Sequence, residues 1–135
     1  QNHCGIYFTK NGGNLWSEVF LKKGRSSYGF SLAVDENNPA RSWVIPVESD
    51  QRRVAPDLKL EVFETSNFGQ SWKSVSEGLP TTHTFDIVLR KSFKRKGNLM
   101  IFGTTNGNLF YTLDEKPYWQ LISSHLTKVN AVVVT

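Results

Sequence analysis

The sequence is poor in cysteine, methionine and long apolar runs: its 135 residues include one Cys and one Met. Because Cys4 has no second cysteine, an intrachain disulfide is excluded, and with it the small secreted scaffolds that depend on disulfides. No apolar run is long enough to span a membrane as a helix. No charged segment followed by an apolar one marks a signal peptide. We therefore expect a soluble chain and favour a cytoplasmic location.

Several signatures of chemistry are also missing. The sequence contains no Gly-rich phosphate loop and no nucleophile elbow. His3, Cys4 and His125 lack the spacing of a metal site. We therefore predict no metal and no cofactor.

Positive charge is in moderate excess, with 16 Lys and Arg against 12 Asp and Glu and a net charge of +4. The densest basic cluster contains Lys91, Lys94, Arg95 and Lys96. Such a cluster can attract nucleic acid or anionic surfaces. We interpret it instead as a solvated turn at 94–96, and expect neither a nucleic-acid nor a membrane partner.

Aromatic residues make up 13% of the chain, and three of its four Trp end a repeated motif. The motif is Thr, any residue, Asn or Asp, any residue, usually Gly, two more residues and Trp. It occurs as TKNGGNLW, TSNFGQSW and TLDEKPYW, with an aromatic residue two positions before each Thr and a β-branched residue three positions after each Trp.

Asn or Asp beside Gly favours a tight turn, because the side chain accepts backbone hydrogen bonds and Gly adopts a positive φ at little cost. Each motif therefore predicts a β-hairpin whose Trp is a buried plug at the start of the return strand. The structural residues predicted in this way are Thr9, Asn11, Gly13, Trp16, Thr65, Asn67, Gly69, Trp72, Thr112, Asp114 and Trp119.

The motifs resemble Asp-boxes, the S/T-x-D-x-G-x-T-W hairpins of BNR-repeat proteins, which include sialidases and many sialidase-like β-propellers. Three longer stretches are similar to bacterial WD40/YVTN/BNR-like repeat proteins, often labelled exo-α-sialidase or glycosyl-hydrolase-like. They are VIPVESDQRRVAPDLKLEVFETSNFGQSW, GLP with HTFDIVLRKSF, and FGTTNGNLFYT. The resemblance implies a ring of about seven blades, each a four-stranded antiparallel sheet, but no established activity.

We therefore predict an all-β fold, a β-propeller segment of two and a half to three blades, with strands A to D in each blade. Residues 1–24 supply strands C and D of a first blade, 25–80 a second blade, 81–127 a third, and 128–135 a closing A strand. The predicted strands are 5–9 and 16–21; 31–34, 42–47, 58–65 and 72–76; 87–93, 98–104, 108–112 and 119–123; and 129–134. Because an open ring leaves apolar faces and strand edges exposed, the expected partners are the remaining blades or a second copy of the chain.

The order of the strands also sorts the loops. Successive strands are antiparallel, so the B-to-C and D-to-A connections share one face of the propeller, which we call the loop face. It carries the insertion ESDQRRVAPD at 48–57 and the connection that contains His83. Ligand-binding residues concentrate on such loops. The candidates for ligand binding are Glu48, Asp50, Arg52, Arg53, His83 and Arg90.

Each candidate has a structural alternative. The arginines of the insertion either bind a carboxylate or phosphate or hold the loop through their own acidic neighbours. Arg90 either reaches a ligand or pairs with a structural carboxylate. His83 is either an acid or base or neither.

Two functions follow. The first is a non-catalytic binding scaffold for a carbohydrate or an acidic small ligand. The alternative is a glycoside hydrolase, exo-sialidase-like, with its site on the loop from Glu48 to Val54. The arginine triad, Tyr–Glu pair and acidic Asp that the sialidase resemblance implies have no local motif in this sequence.

Overall fold

A computed structural model describes residues 5–21, 28–113 and 117–135. In these residues it contains ten β-strands and one 3₁₀ turn, Pro56–Leu58. The strands are β1 (Ile6–Phe8), β2 (Ser17–Val19), β3 (Gly29–Val34), β4 (Ser42–Pro46), β5 (Phe63–Thr65), β6 (Lys73–Ser74), β7 (Val88–Lys96), β8 (Leu99–Thr104), β9 (Leu109–Thr112) and β10 (Gln120–Ser123).

The strands form three antiparallel sheets in which every strand pairs with its neighbour along the chain. The first sheet is β1–β2, the second is β3–β4–β5–β6 and the third is β7–β8–β9–β10. The two four-stranded sheets contact each other through β3 and β7. This is the arrangement expected of consecutive blades.

The hydrophobic core lies between the sheets. Along β4, side chains alternate in direction, so Trp43 and Ile45 join the cluster shared with the third sheet, while Val44 joins the cluster shared with the first sheet. Phe102 and Trp119 complete the larger cluster from the third sheet. Burial of these apolar surfaces holds the sheets face to face.

Several predicted strands have different bounds. The strand predicted at 58–65 begins only at Phe63, because Asp57 and Leu58 have φ of 53° and 55° in the 3₁₀ turn. The strand predicted at 72–76 is reduced to Lys73–Ser74. The turn predicted at 94–96 is wrong: these residues belong to β7, and Gly97 makes the turn with a φ of 57°.

The strand predicted at 129–134 is also wrong, since no strand is formed there. This segment instead lies against the third sheet, where the Val129 N–H donates to the Thr104 carbonyl (3.1 Å) and the Val132 N–H to the Lys91 carbonyl (3.0 Å). A Cβ at Gly103 would lie 2.3 Å from the Val129 side chain. Only glycine allows this close approach.

Candidate functional site

The first two repeated motifs form turns that their own side chains brace. In the first, the Thr9 hydroxyl oxygen accepts from the Gly13 N–H (3.0 Å), and the Asn11 Oδ1 accepts from the Leu15 N–H (2.9 Å). In the second, Thr65 and Asn67 accept in the same way from Gly69 and Ser71, each at 2.9 Å. These polar side chains are used within the turn and do not point to a ligand.

The third motif is described only in part. Asp114 lies outside the described residues. Thr112 is buried, and its hydroxyl has no hydrogen-bond partner within the described part of the chain.

The three motif Trp residues differ in environment. Trp119 is 1% exposed, and its Nε1 donates to the Val75 carbonyl (2.8 Å). Trp72 is half-buried against the first sheet. The prediction of a buried plug is wrong for Trp16, which is 56% exposed. Its side of the first sheet faces away from the second sheet, so neither four-stranded sheet covers it.

A closed cluster of arginines surrounds Trp43 between the second and third sheets. We call Asp35, Arg41, Trp43, Glu64 and Arg95 the Trp43 cluster. The Arg41 and Arg95 guanidinium carbons each lie 4.8 Å from the Trp43 ring centroid. Arg41 pairs with the buried carboxylate of Glu64, and Arg95 pairs with Asp35 at 3.0 Å. Arg95, which the sequence analysis placed in a solvated turn, therefore has only 10% of its side chain exposed and pairs with a buried carboxylate.

One member of the Trp43 cluster, Asp35, has a lowered pKa. The backbone N–H of Asn37, together with the nearby Arg95 guanidinium, lowers the pKa of Asp35 below its usual value. Both interactions favour the ionised carboxylate.

An open cluster of arginines lies on the loop face, where β3 begins. We call Tyr28, Phe30, Asp50, Arg53 and Arg90 the Phe30 cluster. The Arg53 and Arg90 guanidinium carbons lie 5.8 Å and 5.5 Å from the Phe30 ring centroid. The Tyr28 and Phe30 rings stack with centroids 5.8 Å apart. The fold thus brings three sequence-predicted candidates together around one aromatic ring.

Hydrogen bonds within the Phe30 cluster fix the position of the Arg53 side chain. The Arg53 Nη2 lies 2.5 Å from the Asp50 Oδ1, and the Arg53 Nε donates to the Asp50 carbonyl (3.1 Å). The Tyr28 hydroxyl donates to the same carboxylate (3.2 Å). Burial and the bond to Asp50 raise the pKa of Tyr28, so the phenol stays protonated at neutral pH.

Arg90 differs from Arg53. Its side chain is exposed on β7, and no carboxylate of the described residues lies within ion-pair distance of it. The alternative in which Arg90 pairs with a structural carboxylate is therefore not realised in the described chain. Its guanidinium retains donors for another group.

The remaining candidates lie outside the Phe30 cluster. Glu48 and Arg52 pair with each other at 3.0 Å, and the Glu48 N–H donates to the Val54 carbonyl (2.9 Å). Asp50 and Arg53 form a second acid–arginine pair within the insertion. His83 is exposed with a φ of 54°, and no described hydrogen bond joins it to the other candidates.

Sequence reasoning missed Tyr28 and Phe30, which form the apolar base of the cluster. Both are buried, at 4% and 6% exposure. The available signal was their alternation around Gly29, which directs both rings to one side of the innermost strand.

Metal-binding clusters and membrane-spanning helices are both absent from the described residues. Within 5–21, 28–113 and 117–135, no group of three or more His, Cys, Asp or Glu side chains is arranged to hold a metal ion. Over the same ranges, no helix is long and apolar enough to cross a membrane.

Comparison with known proteins identifies the fold class. No protein-family model matches the chain, and no curated protein matches it. Among solved structures, the chain is similar to one described as YCF48 bound to D1 peptide, with a TM-score of 0.53 and 22% identity. The match covers 87% of this chain and 34% of that chain.

A likeness at this identity is evidence for the fold alone. It confirms the predicted fold class, an all-β segment of propeller type with four-stranded antiparallel sheets. The sialidase-like part of the predicted resemblance stays a prediction.

Proposed function

We propose that this chain is a non-catalytic part of a β-propeller that binds a peptide of a partner protein on the loop face, at the Phe30 cluster. The observation that carries the proposal is Arg90. It is an exposed guanidinium beside a buried aromatic ring, without a carboxylate partner among the described residues.

The chemistry of the cluster favours a carboxylate as the group bound. A guanidinium offers a planar fork of donors that matches a carboxylate, and contact with an aromatic ring adds a cation–π attraction. Asp50 holds Arg53 beside Phe30, so the second guanidinium is already ordered. Of the two ligand classes expected from the sequence, this arrangement favours the acidic one over a carbohydrate.

The structural neighbour supports a peptide as the source of that carboxylate, because its description names a bound peptide. A propeller loop face with a charged, partly ordered site suits an acidic side chain or a peptide C-terminus. Substrate turnover is not part of the proposal.

The glycoside hydrolase alternative rests on Glu48 and Asp50. Glycosidases use two carboxylates at a fixed separation on either side of the scissile bond. Here both carboxylates pair with arginines of their own loop, which is a structural use. A panel of aryl glycosides tests this alternative: turnover lost in Glu48→Gln and Asp50→Asn variants would favour it over a binding scaffold.

The binding experiment uses the full chain and a library of fluorescent peptides, each prepared with acidic or amide side chains and with a free or amidated C-terminus. We expect acidic or free-carboxylate members to bind, and Arg90→Ala to weaken the best of them by at least about tenfold. Lys91→Ala is the matched control, because it removes the same charge from the next, also exposed, residue of β7.

The two variants separate a specific site from general attraction to positive charge. Equal weakening by Arg90→Ala and Lys91→Ala would contradict the proposed site. So would the absence of binding to any acidic peptide.

A further inference from the structure

Where the second and third sheets meet, the Trp of one motif packs on the β-branched residue that follows the Trp of the preceding motif. Trp119, which ends the third motif, packs on Val75, three residues after the Trp of the second motif. The Trp119 Nε1 donates to the Val75 carbonyl (2.8 Å), and the Trp119 N–H donates to the Glu77 carbonyl (2.8 Å).

The same pairing occurs between the first and second sheets. Trp72 joins Val19 in one cluster, and Val19 lies three residues after Trp16. The Val19 side chain also fills the space beside Gly69 of the second motif, 3.0 Å from where a Cβ would be. Trp119 and Trp72 therefore each share a cluster with the β-branched residue that follows the preceding motif, Val75 and Val19.

Two residues of this pattern have no such partner among the described residues, one at the first sheet and one at the third. Trp16 is 56% exposed on the first sheet, and Ile122, three residues after Trp119, is 52% exposed on the third. Val19 packs toward the second sheet, and the alternation of an extended strand places Trp16, three residues earlier, on the opposite side. Trp16 therefore faces away from the second sheet, and Ile122, at the register shift between Leu121 and Ser123, is exposed on the edge strand of the third sheet.

Neighbouring side chains extend both surfaces. Leu15 and Phe20, 68% and 58% exposed, accompany Trp16. Ile101 and Leu109 are half-buried on the face of the third sheet opposite Phe102 and Phe110. Exposed apolar patches of this kind mark interaction surfaces.

We propose that a second copy of this chain docks head to tail on these surfaces, with Trp16 of one copy packed on Ile122 of the other. The argument is continuity: the contact repeats the pairing already made twice within the chain, with the same residue types at the same motif positions. The two surfaces lie apart from the Phe30 cluster, so this inference does not depend on the proposed function.

Such a contact joins two different surfaces and is therefore heterologous, which allows rings or open chains. We expect light scattering of the full chain to give masses above 15.3 kDa that rise with concentration. Trp16→Ala and Ile122→Asp should each weaken the association at least about tenfold. Phe85→Ala is the matched control, because Phe85 is 57% exposed but lies in a connection on the loop face.

Mixing the two variants gives the sharpest test. The Trp16→Ala copy keeps an intact Ile122 surface, and the Ile122→Asp copy keeps an intact Trp16 surface. An equal mixture should form a heterodimer although each variant alone stays monomeric. Circular dichroism spectra equal to that of the original chain show that the variants fold.

Three results would overturn the inference. The first is an original chain that is monomeric at every concentration. The second is an Ile122→Asp variant that still associates through a Trp16-to-Trp16 contact. The third is an equal mixture of folded, monomeric variants that fails to form a heterodimer.

Discussion

In the described residues, two clusters each place two arginines over one aromatic ring, and they differ in whether both arginines have a carboxylate partner. In the Trp43 cluster both guanidinium groups have buried carboxylate partners, Glu64 and Asp35, which are 2% and 8% exposed. In the Phe30 cluster Arg53 has Asp50, whereas Arg90 is exposed and has no carboxylate partner in the part of the chain that the structure describes.

This difference separates a structural use of arginine from a binding use. A buried charge is tolerated only when it is paired, because desolvation of an unpaired charge is costly. Arg41 and Arg95 are therefore fixed by the packing of the sheets. Arg90 keeps its solvation and its donors, which makes it available to a ligand.

The largest expected effect comes from breaking the Trp43 cluster. Glu64→Ala leaves Arg41 beside Trp43 without its buried carboxylate, so we expect a loss of roughly 3–5 kcal/mol in the free energy of unfolding. Urea denaturation measures it. Glu48→Ala is the control, because it removes an exposed ion pair and should cost less than about 1 kcal/mol. Equal losses of unfolding free energy in the two variants would mean that the buried pair of Glu64 stabilises the fold no more than the exposed pair of Glu48.

A pH dependence of intermediate size is expected from Asp35. Its folded-state pKa is lowered, so its contribution to stability is present above the unfolded value of about 3.9 and is lost as pH falls through the folded pKa. The difference in unfolding free energy between the original chain and Asp35→Asn should be constant near neutral pH and shrink below about pH 4. If this difference in unfolding free energy instead grew on acidification, the pKa of Asp35 would be raised by folding and not lowered.

The smallest effect on stability is expected at Arg90. Because its side chain is exposed and lacks a carboxylate partner in the described chain, Arg90→Ala should change the free energy of unfolding by no more than about 0.5 kcal/mol. Arg95→Ala, which leaves the Asp35 carboxylate buried and unpaired, should be much more destabilising. Thermal unfolding of the two variants side by side measures the contrast, and a reversed order would contradict it.

Local pattern was enough to predict the turns of the first two hairpins, and the resemblance to BNR-repeat proteins implied the four-stranded sheets. Thr65, Asn67 and Gly69 are close in sequence, and the turn that they form depends only on their own hydrogen bonds. These features need no knowledge of distant partners.

Distant pairing was not predictable from one sequence. Asp35 and Arg95 are far apart in the chain, so the basic run at 94–96 looked like a solvated turn. Trp16 matches its motif as well as Trp119 does, yet its exposure depends on which sheets lie beside it. The Phe30 ring became part of the candidate site only through the packing of β3 near the 48–57 insertion and β7.

Side-chain NMR of Arg90 and Arg95 in one sample tests most directly whether the Phe30 cluster, and not the Trp43 cluster, binds a ligand. With the full chain and the acidic peptide that binds best, the Nε–H resonances of Arg90 and Arg95 are followed through a titration. We predict that the Arg90 resonance shifts and saturates with the peptide while that of Arg95 is unchanged. Binding that moves Arg95 and leaves Arg90 unchanged would contradict the assignment of the Phe30 cluster as the ligand site.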